Sequence, residues 1–199
     1  MAKLSTDSLE RALQLLGERL ELQSSQPFGL VVSGGSALLA LNLIQRSTRD
    51  VDVLGRYFSD KEVIVDPRPL PDELLAAAKD VQRALSLPEN WLNTGPSDQL
   101  KTGVPDGFDS RLVRKDYGLC LTVYYVSRFD QIHFKLYAAC DQGPGKHLMD
   151  LLELKPTEGE ILTASRWVLQ QDDSPGFRGQ YLDMLKQLGY ERIISQLTF

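Results

Sequence analysis

Two histidines and two cysteines are the only imidazole and thiol side chains that this 199-residue chain offers a zinc ion. They do not cluster: His133 and His147 stand apart from Cys120 and Cys140, which excludes the ligand spacing of a structural zinc site. The cysteines also lack a second pair, so they read as buried free thiols of a reducing cytosol. No apolar run approaches the roughly 20 residues that a membrane-spanning helix requires. The start of the chain reads as a polar helix opening rather than a signal peptide, and the expectation is a cytoplasmic protein with no membrane partner. Positive charge is short as well. With 22 Lys and Arg against 27 Asp and Glu, the net charge is −5, which argues against a surface devoted to nucleic-acid backbone. It leaves room for a local basic groove, and Arg111, Arg114 and Lys115 form one such cluster. Three common motifs are missing: there is no Walker lysine, Gly34-Gly35-Ser36-Ala37-Leu38 is not a nucleophile elbow, and SGGSAL is not a dinucleotide fingerprint.

What is present concentrates in Val31–Val53, VVSGGSALLALNLIQRSTRDVDV. Leu30-Val31-Val32 reads as a short buried strand, broken at Ser33-Gly34-Gly35-Ser36. Ala37 to Gln45 then recurs at helical spacing through Leu38, Leu41 and Leu43-Ile44. Two glycines between a strand and a helix allow a tight turn and close approach of a ligand, and the first N–H groups of the helix make that turn a seat for phosphate. The chain returns as Asp50-Val51-Asp52-Val53, whose alternation puts both carboxylates on one face. Side by side they repel unless a cation joins them, and paired hard oxygens suit magnesium shared with substrate phosphates.

Along the rest of the chain, Asp7-Ser8-Leu9-Glu10 predicts a capping box ahead of the stripe Leu9, Ala12-Leu13, Leu16 and Leu20. Gly55 to Asp60 reads as a turn and Glu62–Val65 as a strand. Pro71 opens a helix that runs to about Leu85. From Trp91 to about Asp109 the chain is poorly periodic, the pattern of a surface or binding loop. Leu119–Val126 is a strand by its branched and aromatic content. Helices follow over Asp130–Cys140, Lys146–Leu154, Thr157–Gln170, the last behind a second capping box, and Gly176–Leu188. Strands early and helices late predict an α/β (α+β) core with a C-terminal helical annex, divided into 1–155 and 156–199.

The order apolar strand, Gly35-Ser36, helix and turn, then Asp-Val-Asp-Val resembles the signature of the polymerase-beta-type nucleotidyltransferase superfamily. The run Arg46, Thr48, Asp50, Asp52 is similar to that of its small bacterial members related to abortive-infection and toxin–antitoxin toxins, and Leu87–Asn93 extends the likeness. The resemblance implies a mixed sheet flanked by helices. It also implies transfer of a nucleoside monophosphate from an NTP to an RNA or protein acceptor, in a toxin or phage-defence component that has an antitoxin or regulator as partner. Asp50 and Asp52 would be catalytic and hold two Mg2+ ions, while Gly34, Gly35, Ser36, Arg46 and Arg49 would bind the nucleotide, with the Ser36 hydroxyl on a phosphate oxygen. The strand Leu119–Val126 lacks the third carboxylate that many members carry. The toxin-related branch uses a helix lysine and a later aspartate instead, which correspond to Lys135 and Asp150, although His147 stands where that branch usually has a further aspartate. A charged helix residue lining a cleft adds little to a core, so removal of Lys135 is expected to spare folding. The alternative is a non-catalytic domain of the same type that binds nucleotide or a partner protein.

Overall fold

The computed structural model describes residues 3–23 and 25–197, and the chain forms two compact units, Met1–Ser127 and Arg128–Phe199. Ser5 rather than Asp7 opens the first helix, α1 (Thr6–Leu22). The Ser5 hydroxyl accepts the Ser8 N–H while Ser8 Oγ accepts the Ser5 N–H at 2.7 Å, so the box sits two residues ahead of its expected place. Leu9, Leu13, Leu16 and Leu20 form its buried stripe.

Strand β1 (Phe28–Ser33) runs straight into α2 (Gly34–Ala40), followed by β2 (Val51–Phe58) and β3 (Val63–Val65). Helix α3 (Asp72–Leu85) starts after Pro71 as expected. It ends on Ser86, which takes the left-handed conformation at φ 53°. The poorly periodic stretch contains β4 (Leu92–Asn93), a 3-10 turn at Gly95–Asp98 and the single turn α4 (Gln99–Thr102). Strands β5 (Val113–Asp116) and β6 (Leu121–Tyr125) complete the first unit.

The six strands form one mixed sheet in the order β3-β2-β1-β6-β5, with β4 added beside β2. Strand β1 is antiparallel to β2 and parallel to β6. The outer edge of β2 is shared: β3 pairs antiparallel with Arg56–Phe58, and β4 pairs parallel with Val51-Asp52. Leu54 is an extra residue, since Val31 pairs with Gly55 and Val32 with Val53. This bulge turns Asp52 and Tyr57, five positions apart, to the same side of the sheet. Gly55 lies inside β2 rather than in the expected turn, because a side chain there would meet Ile64 Cγ2 at 2.4 Å.

Helix α1 is locked to the β5–β6 hairpin through Glu10, whose Oε2 accepts from Lys115 Nζ at 2.8 Å and from the Tyr117 hydroxyl at 3.1 Å. Gly17 permits that approach, since a Cβ there would stand 1.8 Å from the backbone oxygen of Tyr117. Backbone yields far less readily than a side-chain end. Gly17→Ala is therefore expected to cost about 3 kcal/mol, the upper end for overpacking, read as a lower urea midpoint with an unchanged slope.

In the second unit α5 (Arg128–Gln142) packs against α6 (Lys146–Glu153), α7 (Glu158–Gln171) and α8 (Pro175–Gln187), and α9 (Glu191–Ile194) closes on α7 and α8. The first compact unit ends at Ser127, ahead of the boundary expected at residue 155, and α5, which carries α6, packs with α7 and α8 in the second. Arg128 fastens the α6–α7 joint: its guanidinium donates to the Leu154 and Lys155 carbonyls and pairs with Glu160 at 2.5 Å. Arg128 beside it, together with the Thr157 cap, holds the Glu160 carboxyl below its ordinary range. Cys140 is buried and its thiol pushed up to about 12 by desolvation, while Cys120 is half-buried with Sγ 3.2 Å from the Ser25 carbonyl. Among the described residues, no helix is long and apolar enough to cross a membrane.

Candidate functional site

The two glycines do more than turn the chain: they are the first residues of α2. Gly34 has φ 67°, a conformation in which a side chain is strained, and a Cβ there would stand 2.7 Å from Asp52 Oδ2. The Asp52 carboxylate thus fills the space that a side chain at position 34 would occupy. A Cβ on Gly35 would lie 3.0 Å from Thr48 Oγ1 and 3.4 Å from an Arg46 guanidinium nitrogen, so Arg46 rests over the same turn. Arg46 also donates to the Ser47 carbonyl at 3.2 Å. The helix starts three residues earlier than its apolar spacing suggests and ends at Ala40, ahead of Asn42 at φ 55°.

Asp52 sits half-buried in β2 between two neighbours, Ser33 on β1 and Asn93 on β4. Its Oδ1 accepts from Asn93 Nδ2 at 3.2 Å. Asp50 lies one residue ahead of β2, also half-buried, and its Oδ1 accepts from Thr48 Oγ1 at 3.4 Å. Val51 and Val53 are fully buried, as the alternation demands.

Ser36 departs from its expected place. It is fully buried, its hydroxyl donates to the Ser33 carbonyl at 3.2 Å, and it accepts the Asp52 N–H at 3.4 Å. The hydroxyl therefore ties α2 to the start of β2 instead of pointing at a phosphate. Arg49 is exposed on the loop before Asp50. The basic cluster is largely compensated, with Arg114 on Asp116 at 3.0 Å and Lys115 on Glu10 at 2.8 Å.

Asp50, Asp52, Gly34, Gly35, Ser36, Arg46 and Arg49 belong to the first unit, and Lys135 and Asp150 to the second. Lys135 on α5 and Asp150 on α6 meet each other: Nζ is 2.8 Å from Oδ2, with the side chains 6% and 0% exposed. Both were expected as accessible charges, but they form a buried ion pair. His147 lies one turn before Asp150 on α6.

Hard oxygens at Asp50 and Asp52 fit Mg2+, which takes one or two protein carboxylates and completes its shell with water and substrate phosphates. Among the described residues, no group of three or more His, Cys, Asp or Glu is placed to hold a metal. A shallow cavity lined by Gly29, Tyr57, Thr122 and Tyr124 opens at the other end of β1 and contains none of the candidate residues. Asn93 is not among the expected site residues: the chain from Trp91 onward has the pattern of a loop, and the two-residue strand β4 carries the side chain to Asp52.

Comparison with family models, with curated proteins and with solved structures gives no match.

Proposed function

We propose that the chain is a magnesium-dependent nucleotidyltransferase of the polymerase-beta type, which moves a nucleoside monophosphate from an NTP to an RNA or protein acceptor, in the setting of a toxin or phage-defence component. The observation that carries this reading is the seating of the Asp52 carboxylate against Gly34, with Asp50 two residues away and Arg46 over Gly35. Such transfer asks little covalent work of a protein. It requires phosphates held in line and the developing charge neutralised. Asp50 and Asp52 would hold Mg2+, which would supply that neutralisation when bound. Gly34 and Gly35 carry no side chains, which lets the Asp52 carboxylate and Arg46 close on the first turn of α2 and would set positive charge beside a metal-bound phosphate. Ser36 keeps α2 and β2 in register through its hydroxyl.

The second reading, a non-catalytic domain that binds nucleotide or a partner protein, draws support from β6, which carries no carboxylate, and from Lys135, which is spent on Asp150. Incubation of the protein with each labelled NTP, Mg2+ and total cell RNA and protein separates the two. Under the first reading label moves to an acceptor, and Asp50→Asn or Asp52→Asn lowers transfer by about a hundredfold or more, the loss of several kcal/mol of transition-state stabilisation. Mg2+ with NTP raises the melting temperature of wild type but not of the Asp50→Asn/Asp52→Asn variant. Binding without transfer, for every NTP, selects the second reading.

A further inference from the structure

Asn93 reaches Asp52 through an arrangement fixed on every side. Trp91 anchors the strand: its ring is 1% exposed, its Nε1 donates to the Ala78 carbonyl at 3.0 Å, and its own carbonyl accepts the Val51 N–H at 2.5 Å. The parallel register that follows sets Leu92 beside Val51 and Asn93 beside Asp52. The amide has only one sensible orientation. Asn93 Oδ1 accepts the Gly95 N–H at 2.8 Å, which leaves Nδ2 as the end that donates to Asp52 Oδ1 at 3.2 Å. A flipped amide would set oxygen against carboxylate and N–H against N–H. Gly95 permits the tight turn, since a Cβ there would lie 3.0 Å from Asn93 Oδ1. With Oδ1 of Asp52 held by Asn93, Oδ2 is the oxygen that lies against Gly34 at the first turn of α2.

We propose that Asn93 is the positioning residue of this site: as a neutral donor it fixes which oxygen of Asp52 faces the α2 turn, without adding a charge. This rests on the reading of Asp50 and Asp52 as a cation-and-phosphate site. Partners that orient a ligating carboxylate are worth roughly ten- to a hundredfold in metal affinity.

The test uses the full chain and the variants Asn93→Asp, Asp52→Asn, their combination, and Asn93→Ala. Asn93→Asp keeps the acceptor for Gly95 N–H and replaces only the donor to Asp52 by a second carboxylate, so a merely structural role in the turn would leave it unharmed. Without divalent ions, Asn93→Asp is expected to melt several degrees below wild type, and the combined variant to recover most of that loss, because an amide and a carboxylate face each other again with roles exchanged. Titration with Mn2+ alone, followed by the signal of the free ion, should show ten- to a hundredfold weaker binding in Asn93→Ala and no recovery in the combined variant. Recovery of folding without recovery of ion binding is the signature of positioning. Additive melting shifts, or Mn2+ binding of Asn93→Ala equal to that of wild type, overturn the proposal. If wild type binds no Mn2+ while the melting cycle still shows coupling, the hold of Asn93 on Asp52 stands and the transferase reading falls instead.

Discussion

Lys135→Met is expected to destabilise the unit Arg128–Phe199 by about 3–5 kcal/mol, the cost of leaving a buried carboxylate without its cation. The carboxylate is that of Asp150, fully buried and 2.8 Å from the Lys135 ammonium. Methionine fills much of the volume of the lysine stem, so the loss measures charge rather than a cavity. Hydrogen exchange read by mass spectrometry separates the units: peptides from α5, α6 and α7 should lose protection while those of β1 and β2 keep it. Lys135→Met/Asp150→Leu should regain at least half of the stability, since replacing both members of a buried pair by apolar groups is often neutral. A single variant as stable as wild type would show that the pair is not a structural element. Loss of activity in a Lys135 variant accordingly says nothing of catalysis until folding has been checked. This reverses the expectation that a helix lysine there can be removed without harm to the fold.

Elements with local signals were legible in the sequence. The apolar run ahead of Ser33 is β1, Pro71-Asp72-Glu73 opens α3, and Thr157 with Glu160 caps α7. Elements written in distant contacts were not. Strand β5 has only Val113 as an apolar residue, with all four of its side chains exposed, so nothing in its composition separates it from a charged loop. Gly55 resembled a turn residue, but its lack of a side chain is needed under Ile64 and Leu100. Gly34 and Gly35 resembled a break before a helix because glycine is a poor helix former, yet tertiary contact with Asp52 and Thr48 draws the helix start onto them. Burial of Val51 and Val53 followed the alternation, while Asp50 lies one residue ahead of β2. The supports of Asp52 were not legible: Asn93 lies 41 positions from Asp52, and the Ser36 hydroxyl is turned to backbone 16 positions away. Lys135 and Asp150 read as accessible site charges because charged residues are almost never fully buried, and only packing of α6 on α5 reveals the pair.

Gly34→Ala separates the site from the fold. A non-glycine residue at φ 67° carries a backbone cost of about 1–2 kcal/mol, which the first unit should survive. The larger effect falls on Asp52, whose Oδ2 would be 2.7 Å from the new methyl group. The end of a side chain moves more cheaply than backbone, so the carboxylate yields, leaving its place against α2 and its bond from Asn93. A displacement of about 1 Å at a reacting centre costs on the order of a hundredfold in rate. Under the proposed function, Gly34→Ala should therefore lose about that much nucleotide transfer, and a comparable share of Mn2+ affinity, for a modest fall in urea midpoint. Gly35→Ala is the comparison: its φ lies outside the left-handed region, and its new methyl would press first on Thr48 Oγ1 at 3.0 Å, the donor to Asp50, and on Arg46 at 3.4 Å. It should keep the larger part of the stability and lose less Mn2+ affinity than Gly34→Ala, because it acts on Asp50 only through Thr48. Gly34→Ala with wild-type transfer and ion binding, despite its strained backbone, would mean that the glycine turn does not serve the placement of Asp52, and the site would have to be built without α2.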